Sequence, residues 1–253
     1  MFATSRLIVT RAAAVMLPVF LTAAILIATG CQKPNSLLRR DGMEALDLDN
    51  VQAADQHFTT AIKQDSTDWK SQYYLGVVRL KQNRPLDAQL AEEKALTLRP
   101  SDKQFTPLIL DALAESLFQQ DQRAALAAML QKAADDYGTV PDYLRQAKYL
   151  GKINDVDGAK LAFRKALKFA PRNDPAPYIA MGDYFASVGD TQGAIIALGK
   201  AYYLTPRNER IAERFRRLGY TPGPTLAIKP TSDELELSRR LDIPPVNPPL
   251  PRY

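Results

Sequence analysis

Few residues of this chain have the type and spacing to do covalent chemistry. His57 is the single histidine among 253 residues, so neither a Ser-His-Asp nor a Cys-His arrangement is available. Cys31 is the single cysteine. It excludes an intramolecular disulfide framework and, beside one histidine, a zinc site of His/Cys type. The adjacent acids Glu92-Glu93 and Asp135-Asp136 point apart on a helix and make no paired acid site. The glycines fall at turns and helix contacts, not in a phosphate-binding loop. The net charge of +5 is spread through a mixture of both signs, too weak a bias for nucleic acid, which needs a clustered basic face. With 46% apolar and 24% charged residues the composition is that of a globular protein. These residues argue for a binding protein, not an enzyme, with no cofactor, no metal and no small-molecule substrate.

Cys31 is placed where a modification would act on it. Residues 1 to 30 contain no acid, Arg6 and Arg11 make a positive start, and 12 to 28 are almost wholly apolar. Thr29 and Gly30 are small and the cysteine follows at once, the plan of a secretory signal with a charged start, an apolar stretch and small residues at the cut. The stretch Ile27-Ala28-Thr29-Gly30-Cys31 resembles a bacterial lipoprotein box. That resemblance implies removal of 1–30, diacylglycerol on the Cys31 sulfur and acylation (palmitate-type chains) of its new amine. The family usually has Leu three residues before the cysteine, where this chain has Ala28. Gln32, not Asp, follows the cysteine, which by the same resemblance favours the outer membrane, facing the periplasm. The alternative is an uncleaved anchor, since the apolar run nearly reaches the ~20 residues needed to span a bilayer. Loss of Arg6 and Arg11 leaves about +3 on the mature chain.

Along the rest of the chain, one pattern recurs. In Asp174–Pro206, Gly182 is followed by Ala194, Leu198, Ala201 and Pro206, with Tyr178 and Phe185 on the face of the glycine. Ala147, Ala159, Phe163, Ala166 and Pro171 repeat it, as do Gly76, Ala88, Ala95 and Pro100, with Glu92 where a large apolar residue is expected. Gly42, Ala54, Phe58 and Ala61 open the series, with Ser66 for the proline; Gly42 to Gly76 is 34 residues. A middle copy near 106–139 is degenerate: Ala125 and Met129 fit, Lys132 and Tyr137 do not. A 34-residue period with small, aromatic, Ala and Pro positions resembles the tetratricopeptide repeat, over about 35 to 206. The expected fold is all-α: an α-solenoid of about five helix-turn-helix repeats over 37–220, after a tether at 31–36. Asp174-Pro175 and Thr106-Pro107 are expected helix starts. Gly189-Asp190 and Asn154-Asp155 are expected turns, and Trp69 an inter-repeat packing residue.

Asn208–Leu218 reads as a C-terminal capping helix, with Ile211, Phe215 and Leu218 on one face and arginines on the others; Gly219 ends it. From Thr221 the composition turns proline-rich, and 221–253 is expected to be a largely disordered tail, or one laid back along the array. It holds a capping box at Thr231–Glu234, a short helix to Leu241, and the sequence IPPVNPPLPRY, which favours an extended form. Pro245-x-x-Pro248 would serve as a docking peptide.

By the resemblance, a protein or peptide partner binds the side formed by the first helices. Mapping that side gives Arg39, Met43, Lys70, Tyr73, Val77 and Lys81, then Leu110, Ala114 and Phe118, then Leu144, Lys148, Lys152, Ile179 and Asp183. Basic points at Arg39, Lys70, Lys81, Lys148 and Lys152 surround an apolar floor, suited to a mildly acidic or amphipathic peptide. The expectation is a membrane-anchored scaffold of pilus or secretion-system assembly. The alternatives are a structural subunit bound through its other face or its tail and, remotely, a cell-envelope enzyme.

Overall fold

The computed structural model of the chain describes residues 33–231. The expected lipidation site at Cys31, the apolar run before it and residues 232–253, with the docking peptide, lie outside the described residues. Among the described residues the structure is helical, without strands. It divides into two compact units, one ending at Ser66 and one beginning at Thr67.

The first unit is a helix pair, α1 (Asn35–Asp47) and α2 (Val51–Gln64). Ala54, Phe58 and Ala61 are completely buried. Phe58 lies directly on Gly42, where a Cβ would come within 2.7 Å of the ring. The Asn50 side chain accepts from the Ala53 N–H at 3.2 Å and caps α2. Asn35 Nδ2 ties the start of α1 to the Ala61 carbonyl at 3.1 Å.

The second unit continues with α3 (Trp69–Lys81) and α4 (Pro85–Leu98), then α5 (Phe105–Gln119) and α6 (Arg123–Asp136). It goes on with α7 (Val140–Lys152) and α8 (Val156–Phe169), α9 (Ala176–Ser187) and α10 (Thr191–Leu204), and ends in α11 (Glu209–Arg217). In each pair the turn holds one residue with positive φ: Asp49 (54°), Asn83 (57°), Asp121 (52°), Asn154 (67°) and Gly189 (80°). Asp, Asn and Gly enter this left-handed region at least cost. Five residues after each comes a buried small or apolar position: Ala54, Ala88, Leu126, Ala159 and Ala194. The prolines at 100, 171 and 206 each stand two residues past the end of a second helix. Their predecessors Arg99, Ala170 and Thr205 are pushed out of the helical region, as a residue before proline must be.

The same count corrects the middle repeat. Ala125 is exposed and Met129 only half-buried, whereas Leu126, Leu130 and Ala133 are buried. The copy is regular but displaced by one residue, with Ala114, fully buried, as its small position. The three-residue connection from α6 to α7 is the shortest between repeats, and Leu126 precedes Ala159 by 33 residues, one short of the period. The connection from α4 to α5 moves a helix start. α5 begins at Phe105, ahead of Thr106-Pro107, and its cap is Asp102, whose carboxylate accepts from the N–H groups of Gln104 and Phe105 at 3.0 Å. Thr106 is buried, and its hydroxyl accepts from the Asp102 N–H. Asp174 caps its helix as expected, and Asp155 and Asp190, expected as turn residues, each also cap the helix that follows. Trp69 meets Phe105 edge-on, ring centres 5.1 Å apart, and so joins successive repeats.

Gly182 carries Leu198 as Gly42 carries Phe58, with 2.6 Å between a Cβ there and Leu198 Cγ. Gly76 carries Glu92. That carboxyl is fully buried, accepts from Ser116 Oγ through Oε2 at 2.7 Å, and has no hydrogen-bond partner for Oε1. At the far end Ile211 and Phe215 of α11 are fully buried. Three arginines of α11 are paired within the fold: Arg214 grips Asp183 with two bonds of 2.7 and 2.8 Å, Arg216 pairs with Glu209 and Glu213, and Arg217 with Glu213. Packing continues past Tyr220, where the repeat domain was expected to end. A strap with a short 3-10 turn at Pro224–Leu226 lies on α10, the Ile228 N–H donating to the Gly199 carbonyl at 3.0 Å, and Pro230 is buried.

Candidate functional site

The first helices α5, α7 and α9 of the second unit, with Tyr73 of α3, border a groove of about 1060 Å³. Helical spacing puts Leu108, Asp111 and Glu115 on one wall and Leu144, Lys148 and Lys152 on the next, while Ala180, Asp183 and Tyr184 face them from α9. The apolar surface comes from Leu108, Leu144, Tyr149, Phe163, Ala180 and Tyr184. Tyr184 can reach in because Gly151 is bare: a Cβ there would be 2.6 Å from the ring.

The charges are ordered by helix. Arg145, almost fully buried, bridges Asp111 at 2.5 Å and Asp142 at 2.8 Å and donates to the Pro107 carbonyl at 3.0 Å. A guanidinium out of water needs such partners. Glu115 accepts from Tyr149 Oη at 2.9 Å and Lys152 Nζ at 3.1 Å. Burial pushes Glu115 up, but the donors Lys152, Tyr149 and Gln119 and the lysine charge outweigh it and hold it below the ordinary range. Burial, aided by the Glu115 charge, raises Tyr149 far above an ordinary phenol, and Tyr73 is pushed up to about 12 by burial and then by Tyr74, Asp111 and Glu92. Both phenols therefore stay neutral donors. Lys148 is different: its Nζ lies 4.7 Å from the centre of the Tyr149 ring, and no carboxylate among the described residues pairs with it. The groove thus offers one uncompensated cation over an aromatic floor, a setting that favours an incoming carboxylate.

Of the residues mapped from sequence, Tyr73, Leu144, Lys148, Lys152 and Asp183 line this groove. Phe118 lies under Lys152, ring centre 4.4 Å from Nζ. Lys70 rests against Trp69 and Phe105. Val77 is half-buried and Lys81 exposed, and neither borders the groove. Leu110 and Ala114 belong to the core, and Ile179 packs near Tyr178 and Leu198. Arg39, half-buried, and Met43 belong to the first unit. Sequence reasoning missed Asp111, Glu115, Arg145, Tyr149 and Tyr184. A signal existed: Asp111 and Glu115 precede Arg145 and Tyr149 by 34 residues each, so one period places them in register on neighbouring first helices. Among the described residues no cluster of His, Cys, Asp and Glu could hold a metal, and no helix is long and apolar enough to cross a membrane.

No protein-family model matches the chain, and no curated relative does. Solved structures do. A thermophilic tetratricopeptide protein of Thermus thermophilus is similar over 73% of this chain and 98% of its own, at 17% identity and a TM-score of 0.55. PilW, described as a widely conserved type IV pilus biogenesis factor, is similar over 84% and 95%, at 16% identity and 0.52. PilF of Pseudomonas aeruginosa is similar over 81% and 87%, at 17% identity and 0.52. At such identities the likeness is one of fold, and with the five turns and their buried positions it makes this chain an all-α tetratricopeptide-repeat solenoid.

Proposed function

We propose that the chain is a scaffold that holds an extended segment of a protein partner in the groove of α5, α7 and α9, during assembly of a bacterial envelope structure of the pilus or secretion type. The observation that carries this is Lys148, a cation without a carboxylate at the centre of a groove with aromatic and aliphatic walls. A partner segment with an acidic side chain flanked by apolar ones would satisfy both. The similarity to PilW, a pilus biogenesis factor by its description, supports the setting. Lipid attachment at Cys31, which would tether the scaffold to a membrane, belongs to the same proposal and rests on the sequence pattern alone.

A photo-crosslinker at Val188, which borders the groove, should trap a partner, and one at exposed Leu90 of α4 should not. Lys148→Glu should cut the yield at Val188 by about tenfold, the effect of about 1.4 kcal/mol at a charge-assisted contact. Unchanged trapping in Lys148→Glu rejects the groove. Trapping only at Leu90 would favour a structural subunit held by its second helices, where Leu86 and Leu90 stand more than half exposed one turn apart. For the anchor, mass spectrometry of the membrane-bound protein should find an acylated N-terminal Cys31; an N-terminus at Met1 rejects it.

A further inference from the structure

Glu92 occupies a position that elsewhere in the repeats is Phe58, Leu130, Phe163 or Leu198. It is packed on three helices. Its own α4 supplies the like charge of Glu93; α3 supplies the bare backbone of Gly76 and the phenol of Tyr73; α5 supplies the Ser116 hydroxyl. No lysine or arginine is among the charges acting on it. Oε1 lies against Gly76 with no donor, so ionisation would leave a bare anion in a sealed apolar contact. Gln120 adds a second tie between α4 and α5, donating to Gln89 at 2.9 Å and to the Pro85 carbonyl at 3.3 Å.

We propose that this seam of α3, α4 and α5 is a proton-operated joint, closed while the Glu92 carboxyl holds its proton and opening to admit water when it ionises. Burial pushes the carboxyl up to about 7, against one hydroxyl donor that pulls the other way. The joint therefore works around neutral pH. In the open form the carboxyl returns to its ordinary range, so opening is linked to proton release and grows as pH rises. The groove is affected through α5, because Ser116 adjoins Glu115 and Asp111 lies on the same helix. That consequence rests on the proposed binding role; the joint itself does not.

The test is amide hydrogen exchange of the full chain between pH 6 and pH 8.5. The α4 and α5 amides are compared with those of α9 and α10, which share the base catalysis of exchange. A carboxyl moving between about 7 and its ordinary range should increase opening of α4 and α5 about tenfold over that interval. Glu92→Gln should abolish the dependence. Ser116→Ala removes the donor that favours ionisation, so the dependence should persist and extend to higher pH; this variant serves if Glu92→Gln does not fold. A flat wild-type profile, a Gln variant as pH-dependent as wild type, or a Ser116→Ala profile no different from wild type overturns the joint. No partner is needed for these readings, so failure of the groove proposal would leave them intact, and loss of the joint would not touch trapping at Val188.

Discussion

The contact of α3 with α4 and the contact of α9 with α10 are the same piece of geometry with opposite chemistry. Each sets a glycine, Gly76 or Gly182, beneath the side chain sixteen positions later, with 2.6–2.7 Å left for a Cβ. In the second the side chain is Leu198, buried among Tyr178, Ile195 and Phe215, and its contribution does not change with pH. In the first it is Glu92, equally sealed, bonded at one oxygen by a single hydroxyl and titratable. Close packing fixes shape, and one residue type decides whether the joint is permanent or conditional. The seam beside the capping helix is therefore apolar throughout, and the seam of α3 and α4 carries a titratable group.

The comparison can be broken hardest at the apolar seam. Leu198→Glu would put a carboxyl over Gly182 without the hydroxyl that Ser116 gives Glu92. Loss of the leucine and burial of an unpartnered acid should together cost about 4 kcal/mol or more in urea unfolding at pH 7, and less at pH 5 where the acid is neutral. An equal loss at both pH values would mean that the cost is one of shape alone.

The reverse exchange, Glu92→Leu, should stabilise. The folded state holds the Glu92 proton up to about 7, above the ordinary 4.5. The wild type therefore loses stability as pH rises from 4.5 to 7 and levels off above, by about 3 kcal/mol in all. Leucine has nothing to titrate, so its advantage should be largest near pH 8 and smallest near pH 5. An advantage independent of pH would assign the effect to packing and remove the distinction between the two contacts.

The repeats were readable because their signals are local. A small residue, a large one four positions after another small one, and a proline past the helix are each demanded by neighbours in one pair. Leu126 and Leu130 were misread by one position because they precede Ala159 and Phe163 by 33 residues, the connection from α6 to α7 being only three residues long. The groove was read in part, since helix position tells which side chains can face it, as for Tyr73, Lys148 and Lys152. Period alone does not tell which charges are already spent. Lys152 and Arg145 are engaged by Glu115 and Asp111 one repeat earlier, and that pairing depends on the helices lying side by side. The strap on α10 was hidden for a different reason. A proline-rich composition describes a segment's own preference, and here Gly199 supplies a seat that the composition of 221–231 does not mention.

That seat allows the mildest test. Gly199 resembles Gly76 and Gly182 in having no room for a Cβ, but what lies on it is the strap: Leu226 O at 2.6 Å and Ile228 Cδ1 at 2.8 Å. In Gly199→Ala the helix gains up to about 1 kcal/mol of propensity, while the crowded contact costs about 1–3 kcal/mol if it is kept. The cheaper course is for the strap to lift, since it is a surface segment held to α10 by few bonds. Global stability should then fall by only about 1 kcal/mol, while the Ile228 amide, whose bond to the Gly199 carbonyl is broken, loses its protection from exchange. Under the corresponding Gly182→Ala the displaced group would be Leu198 in the core, and the loss should register in global unfolding instead. If Gly199→Ala lowers global stability as far as Gly182→Ala does, the strap is part of the core and not a cover laid over it.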